Sequence, residues 1–403
     1  MSLHIEGPSI YNGLMKKKIL AVLFVLFVGI SLLSAGSTRF VFAGLTQHAE
    51  IVKGFFPSYL MGGAGYSGIS FLEGNKTEFQ VLFGAGYNQR KLWQNPIDGS
   101  IIYEDPIIYD VVDLDWAFRL AQGFGDSPVG GKDLLTVTLS YEGQYEVAVD
   151  SLAKGKIRSN GGEFFVGSLD SYGVGDSYSG SIYPELNGDG RFLGAQLALS
   201  FKLDGMIDTI HTNDGFLVKA DMKWGPKAMN STLDGYADYF AISADIINAK
   251  TLYTLDRNGK TMLSIVLIDR MNASYVTGDS IPAFIQGPNS LGRKVRGFNT
   301  YTYNTAFSCV NNFDIRFAGP FVGLDGVAPR VNLFFDIGYG TGKVMNTANV
   351  NSNVLSSFGF QAAATFFDFC DLGYQIAYLI NGDNYAKGVG TNIAGSVTFF
   401  LDF

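Results

Sequence analysis

The chain has 403 residues, of which 47% are apolar and only 16% charged, with a formal net charge of −8. Soluble domains carry about 25% charge, so this surface is poorly suited to water. The acidic balance excludes the basic patch that nucleic-acid binding needs.

The first readable element is a targeting segment. Met15-Lys16-Lys17-Lys18 precedes an apolar run from Ile19 to Leu33, and Ser34, Ala35, Gly36 and Ser37 follow. This order of charged, apolar and small residues is that of a secretory signal peptide. Cleavage is expected after Ala35 or Gly36, or after Ala43 in Val41-Phe42-Ala43. The apolar run is short for a bilayer span. Residues 1–14 fit no signal and read as an upstream extension. The expected division is therefore an extension plus signal over residues 1–43 and one β-domain over residues 44–403.

Beyond it the chain alternates with period two. Phe79, Val81, Phe83, Ala85 and Tyr87 make one apolar face, and Val112, Leu114, Trp116, Phe118 and Leu120 make another. Asp113, Asp115 and Arg119 fall on the opposite side of the second run. Leu193 to Leu203 and Phe216 to Trp224 repeat the pattern, with Gln196, Lys202, Lys219, Asp221 and Lys223 on their polar faces. Successive side chains of a strand point to opposite faces. Two architectures use that alternation: a soluble sandwich buries the apolar face, and a membrane barrel turns it to lipid. The signal, the low charge and runs of about 10 residues favour the barrel. Stretches rich in Gly, Pro and Asn read as loops, among them Gln94–Gly99, Gly123–Gly131, Ser171–Gly190, Pro282–Gly292 and Thr341–Asn353. Trp93, Trp116, Trp224, Tyr239, Tyr301 and Tyr303 are expected to include membrane-interface anchors.

Enzyme chemistry finds little material. His48 and His211 are the only histidines past the signal and stand far apart. Cys309 and Cys370 have no metal-type spacing, and a metal site is not expected. Gly62-Gly63-Ala64-Gly65 reads as a glycine-rich strand rather than a phosphate loop. Asp113 and Asp115 read as a polar lumen wall. The expectation is a non-enzymatic chain without a cofactor.

Three later segments carry more information: VTGDSIPAFIQGPNSLGRKVRGF at 276–298, YNTAFSCVNNFDIRF at 303–317 and VNLFFDIGYGTG at 331–342. In the last, Val331, Leu333, Phe335, Ile337 and Tyr339 form the apolar face, which puts Asp336 on the lumen side. Phe313, Ile315 and Phe317 likewise put Asp314 inward. A guanidinium is a planar fork that matches carboxylates. Taken alone, Arg296 would read as a solvated loop arginine; two inward carboxylates downstream change that. At the C-terminus, Ile393, Gly395, Val397, Phe399, Leu401 and Phe403 form one face of a last strand. A terminal aromatic on such a strand resembles the sorting signal of bacterial outer-membrane barrels.

Together the three segments resemble the BamA/TamA superfamily, also called the bacterial surface antigen family. Val295, Arg296, Gly297 and Phe298 match its VRGF-type loop, and Phe334, Asp336 and Gly338 match its F-x-D-x-G motif. The resemblance is tight over residues 276–342 and looser over 190–403. It implies an all-β transmembrane antiparallel barrel in the bacterial outer membrane, with 16 strands, where spacing alone also allows 12 or 14. It further implies a loop inserted into the lumen, with Arg296 as its lock and Asp336 and Asp314 as acceptors. The activity implied is insertion or translocation of proteins or lipids. The partners implied are outer-membrane lipid, nascent outer-membrane proteins, and periplasmic or lipoprotein partners that supply the function of the POTRA domains, for which this sequence leaves no room. The alternative is a passive outer-membrane channel or a structural surface protein.

Overall fold

Runs in which β-branched and aromatic residues alternate with small or polar ones sort onto two faces only as pleated strands. The structure, a computed structural model, describes residues 37–43, 59–72, 74–92, 107–128, 132–149, 183–187, 190–208, 213–231, 233, 236–257, 260–298, 303–319, 327–342, 353–366, 370–381 and 392–401. Among them, the first half of the chain gives β1 (Ser37–Ala43), β2 (Tyr59–Ile69), β3 (Thr77–Leu92), β4 (Ile107–Asp126), β5 (Asp133–Val149), β6 (Arg191–Asp204), β7 (Ile207–Asp208) and β8 (Asn213–Gly225). The second half gives β9 (Asp238–Arg257), β10 (Lys260–Ser280), β11 (Phe307–Ala318), β12 (Val327–Thr341), β13 (Asn353–Phe366), β14 (Cys370–Asn381) and β15 (Ile393–Leu401). Apart from the two-residue β7, which pairs with β8, fourteen strands lie side by side in chain order. The protein is thus all-β and antiparallel. The described ladders run from β1 to β15. The described residues give fourteen strands in succession. Among the described residues no helix is long and apolar enough to cross a membrane.

β1 lies inside the segment assigned to the signal, and its seven residues pair with β2 from Ser37↔Ser67 to Ala43↔Met61. Cleavage at Ala35 or Gly36 keeps this ladder, and cleavage after Ala43 removes it.

The two faces of the sheet differ sharply. On β12, Val331, Leu333, Phe335, Ile337 and Tyr339 are 41–47% exposed, whereas Phe334 is 5% and Asp336 0% exposed. The same alternation exposes Phe83, Leu114, Leu139, Leu197, Phe240, Phe358 and Tyr374 on other strands. A water-soluble sheet rarely leaves so continuous an apolar face open, whereas a barrel in lipid requires one.

The opposite face curls around the connection between β10 and β11. This connection holds two short helices, α1 (Ala283–Asn289) and α2 (Leu291–Lys294), where the sequence reads only as a loop over Pro282–Gly292. At one end, the Phe284 ring lies 6.0 Å from that of Phe192 on β6. At the other, a Cβ on Gly297 would lie 2.7 Å from Ala377 on β14 and 3.5 Å from Ala394 on β15. One segment thus touches strands far apart in the sheet order, so β6 to β15 wrap around it.

Candidate functional site

The site is the turn that follows α2. Ser290 starts α2: its side chain accepts a hydrogen bond from the Arg293 N–H at 3.3 Å. Ser290 Oγ also donates to the Gly287 carbonyl at 2.9 Å. The helix stops after one turn, and Val295, Arg296, Gly297 and Phe298 reverse the chain. Gly297 has φ +94°, a conformation that side chains disfavour. Its missing side chain also matters for space, because a Cβ would press on Ala377 and Leu379 at 2.7 and 2.8 Å.

Arg296 meets both carboxylates named from the sequence. Its Nη2 donates to Asp336 Oδ1 at 2.6 Å, its Nε to Asp336 Oδ2 at 2.8 Å, and its Nη1 to Asp314 Oδ1 at 2.7 Å. The Arg296 main-chain N–H donates to Asp336 Oδ2 at 2.8 Å. The guanidinium carbon sits 3.9 Å from the centre of the Phe334 ring, a cation–π arrangement. Gly359 opposes Phe334 across the ladder and leaves room for that ring; a Cβ there would lie 2.7 Å from Phe334 Cζ. Burial works against the charge on Arg296, and the Asp336 and Asp314 carboxylates outweigh it, raising its pKa above the usual arginine value. Arg296 lies in the connection between β10 and β11 and stays protonated.

The turn is also held by apolar packing. Val295 and Phe298 join Leu291, Tyr303, Val310, Leu355 and Leu379 in one buried cluster. Gly338 belongs to this wall, because a Cβ there would come within 2.8 Å of both Leu291 and Val295. Phe298 and Tyr303 meet edge to face at 6.1 Å. The structure therefore brings Val295, Arg296, Gly297, Phe298, Asp314, Phe334, Asp336 and Gly338 into one place. Phe399 and Leu401 are far from it in chain order, on β15, where their backbones pair with Leu372 and Cys370; Phe403 lies outside the described residues.

Two contributors are not visible in the sequence reading. Lys294 Nζ donates to Ser308 Oγ at 2.9 Å and also to Ser274 Oγ, which ties α2 to β10 and β11. Burial pushes Lys294, at the end of α2, down to about 8, against the pull of Asp245. Glu185, in a short 3-10 turn over Pro184–Leu186, accepts from the Ala283 N–H at 2.7 Å. It anchors the start of α1 from a residue 98 positions away. No motif signals either contact. Of the aromatic residues expected to include interface anchors, Trp224 is 51% exposed on the outer face, but Tyr239 and Tyr303 are buried inside.

On the β4–β8 side, the interior wall is polar. Glu142 accepts from Gln196 Nε2 at 2.8 Å and lies 3.8 Å from Arg119 and 4.0 Å from Lys223. Tyr239 donates to Gln196 Oε1 at 2.8 Å. The side chains of Arg119 and Lys223 keep 38% and 40% of their surface open.

No family model and no curated protein matches this chain. Solved structures do. BamA from Haemophilus ducreyi lacking POTRA domains 1–3 aligns at 11% identity and a TM-score of 0.45, over 91% of this chain and 70% of that one. An outer membrane channel from Pseudomonas putida F1 aligns at 10% identity and a TM-score of 0.31, over 82% of this chain and 93% of that one. CdiB from Acinetobacter baumannii aligns at 12% identity and a TM-score of 0.46, over 85% of this chain, which spans half of its length.

Proposed function

We propose that the chain is an outer-membrane β-barrel that acts in insertion or translocation of proteins or lipids, with an internal segment fixed by Arg296. The observation that carries this reading is the fixed segment. An arginine bound to two inward carboxylates, above a packed apolar cluster, fills the β10–β15 side of the interior. Such a filling blocks free diffusion through this side of the interior. A barrel whose wall must yield to a substrate without leaking needs an internal brace that keeps its shape. The sequence resemblance of residues 276–342 supports the same reading.

The outer location rests on the alternating exposed face, which needs acyl chains around it. Partners under this reading are the surrounding lipid, nascent outer-membrane proteins, and periplasmic or lipoprotein partners that present substrate.

The polar wall around Glu142 favours a second reading, a passive channel on the β4–β8 side. Depletion separates the two. Loss of an insertion or translocation barrel lowers the levels of many other outer-membrane proteins or of a surface lipid. Loss of a channel changes solute permeability alone, and that outcome would refute the first reading.

A further inference from the structure

Three adjacent strands break the apolar outer face at its middle. On β10, Asp269 lies between Leu267 and Met271, and its register partner on β11 is the outward Phe313. On β11, Asn311 lies between Cys309 and Phe313, and on β9 Asn248 stands directly opposite Asp269. Asn311 Nδ2 donates to Asp269 Oδ1 at 2.8 Å. Asn248 is exposed and, among the described residues, its side chain has no hydrogen bond. Two positions on, Lys250 pairs with Asp214 at 3.1 Å and keeps 72% of its side chain open. Apolar residues continue beyond the patch in both directions, with Met271, Tyr275 and Phe307 on one side and Tyr253 and Leu255 on the other.

A carboxylate and an unpaired amide at hydrocarbon depth are costly, and ionisable groups placed there ordinarily serve a function. Inside this chain Asp269 has one neutral donor, and an exposed lysine lies on the same patch. The combination is self-complementary. A two-fold axis near Asn248 would bring the Lys250 and Asn248 donors of one copy to the Asp269 carboxylate of the other. A lipid chain offers neither donor nor acceptor there.

We infer that the β9–β11 outer face, through Asn248, Lys250, Asp269 and Asn311, is the interface by which two copies of this chain associate within the membrane. This inference rests on the reading of the chain as a membrane barrel.

The test uses the full chain in its native membrane. An Asn248→Cys variant, with Cys309 and Cys370 replaced by Ser, is treated with a short bis-maleimide. Cross-linked dimer is expected from Asn248→Cys and not from Phe83→Cys, exposed on β3 five strands away from β9. Adding Asp269→Leu and Asn311→Leu, which keep the belt apolar, should lower the dimer yield about tenfold with heat-modified gel mobility unchanged. A membrane-integrated chain that stays monomeric overturns the interface and leaves the barrel standing. A cross-link to a different polypeptide also overturns it. Release of the chain into buffer without detergent overturns both readings.

Discussion

Asp336 holds Arg296 by side chain and by backbone at once: its Oδ1 accepts from Nη2 at 2.6 Å, and its Oδ2 accepts from the main-chain N–H at 2.8 Å. One carboxylate therefore fixes both the guanidinium and the turn that carries it. Asp314 makes a single contact with Arg296 and is 18% exposed, against 0% for Asp336. The two acceptors are unequal, and substitutions should rank accordingly.

Arg296→Ala strands Asp336 without its cation, and Asp336→Ala strands the guanidinium and releases the backbone. Losing one partner of a buried pair costs about 3–5 kcal/mol. Asp314→Ala should cost less, because water reaches that carboxylate. The expected order of heat-modified gel midpoints is wild type, then Asp314→Ala, then Arg296→Ala and Asp336→Ala. Equal midpoints for wild type and Asp336→Ala would count against the brace.

Arg296→Lys keeps the charge and loses the fork, since an ammonium cannot span Asp336 and Asp314 with the same geometry. Single-channel conductance in planar bilayers should rise and grow noisy in this variant, as the segment leaves the wall. A trace identical to wild type would show that charge alone suffices.

Gly297→Ala combines a φ of +94° with contacts at 2.7 and 2.8 Å to Ala377 and Leu379. Strain of this kind costs about 1–3 kcal/mol. Limited proteolysis of intact vesicles should cut the 281–298 segment faster in the variant, without loss of the barrel.

Lys294 gives a pH dependence. Its folded pKa, about 8, lies below the ordinary lysine value of 10.5. Between these two values the unfolded chain binds more protons than the folded one, so stability rises with pH across that window. Below about pH 8 the full penalty is present. The midpoint of wild type relative to Lys294→Met should therefore climb from pH 8 towards pH 10. A difference that stays flat would place Lys294 in water.

The β1 ladder makes a prediction about maturation. Cleavage after Ala43 would strip seven paired positions from the edge of β2. The mature chain is expected to start at Gly36 or Ser37, and intact mass reads this directly. A start at Gly44 would mean that β1 belongs to the precursor alone.

The alternation on β12 was legible because both environments it meets are uniform: Leu333 and Phe335 outside, Asn332, Phe334 and Asp336 inside. The pairing of Arg296 with its acceptors was legible because the strand period alone puts Asp314 and Asp336 on the inner face. The helical turns at Ala283–Asn289 were not, because Gly287 and Pro288 disfavour a helix and the contacts that sustain it come from elsewhere. Glu185 reaches Ala283 across 98 positions, and no local pattern carries such a contact. Tyr239 and Tyr303 mislead for a related reason: an aromatic ring with a hydroxyl suits an interface or a partly polar interior equally, and only packing decides.

The arrangement of faces is tested most directly by nitroxide labels placed singly at Val331, Asn332, Leu333 and Phe335 in the membrane-embedded protein. The outward placement of Val331, Leu333 and Phe335 predicts high collision rates with dissolved oxygen and low rates with a water-soluble nickel chelate at these three positions, and low oxygen collision at Asn332. Equal oxygen access at all four positions, or chelate access at 333, would contradict it.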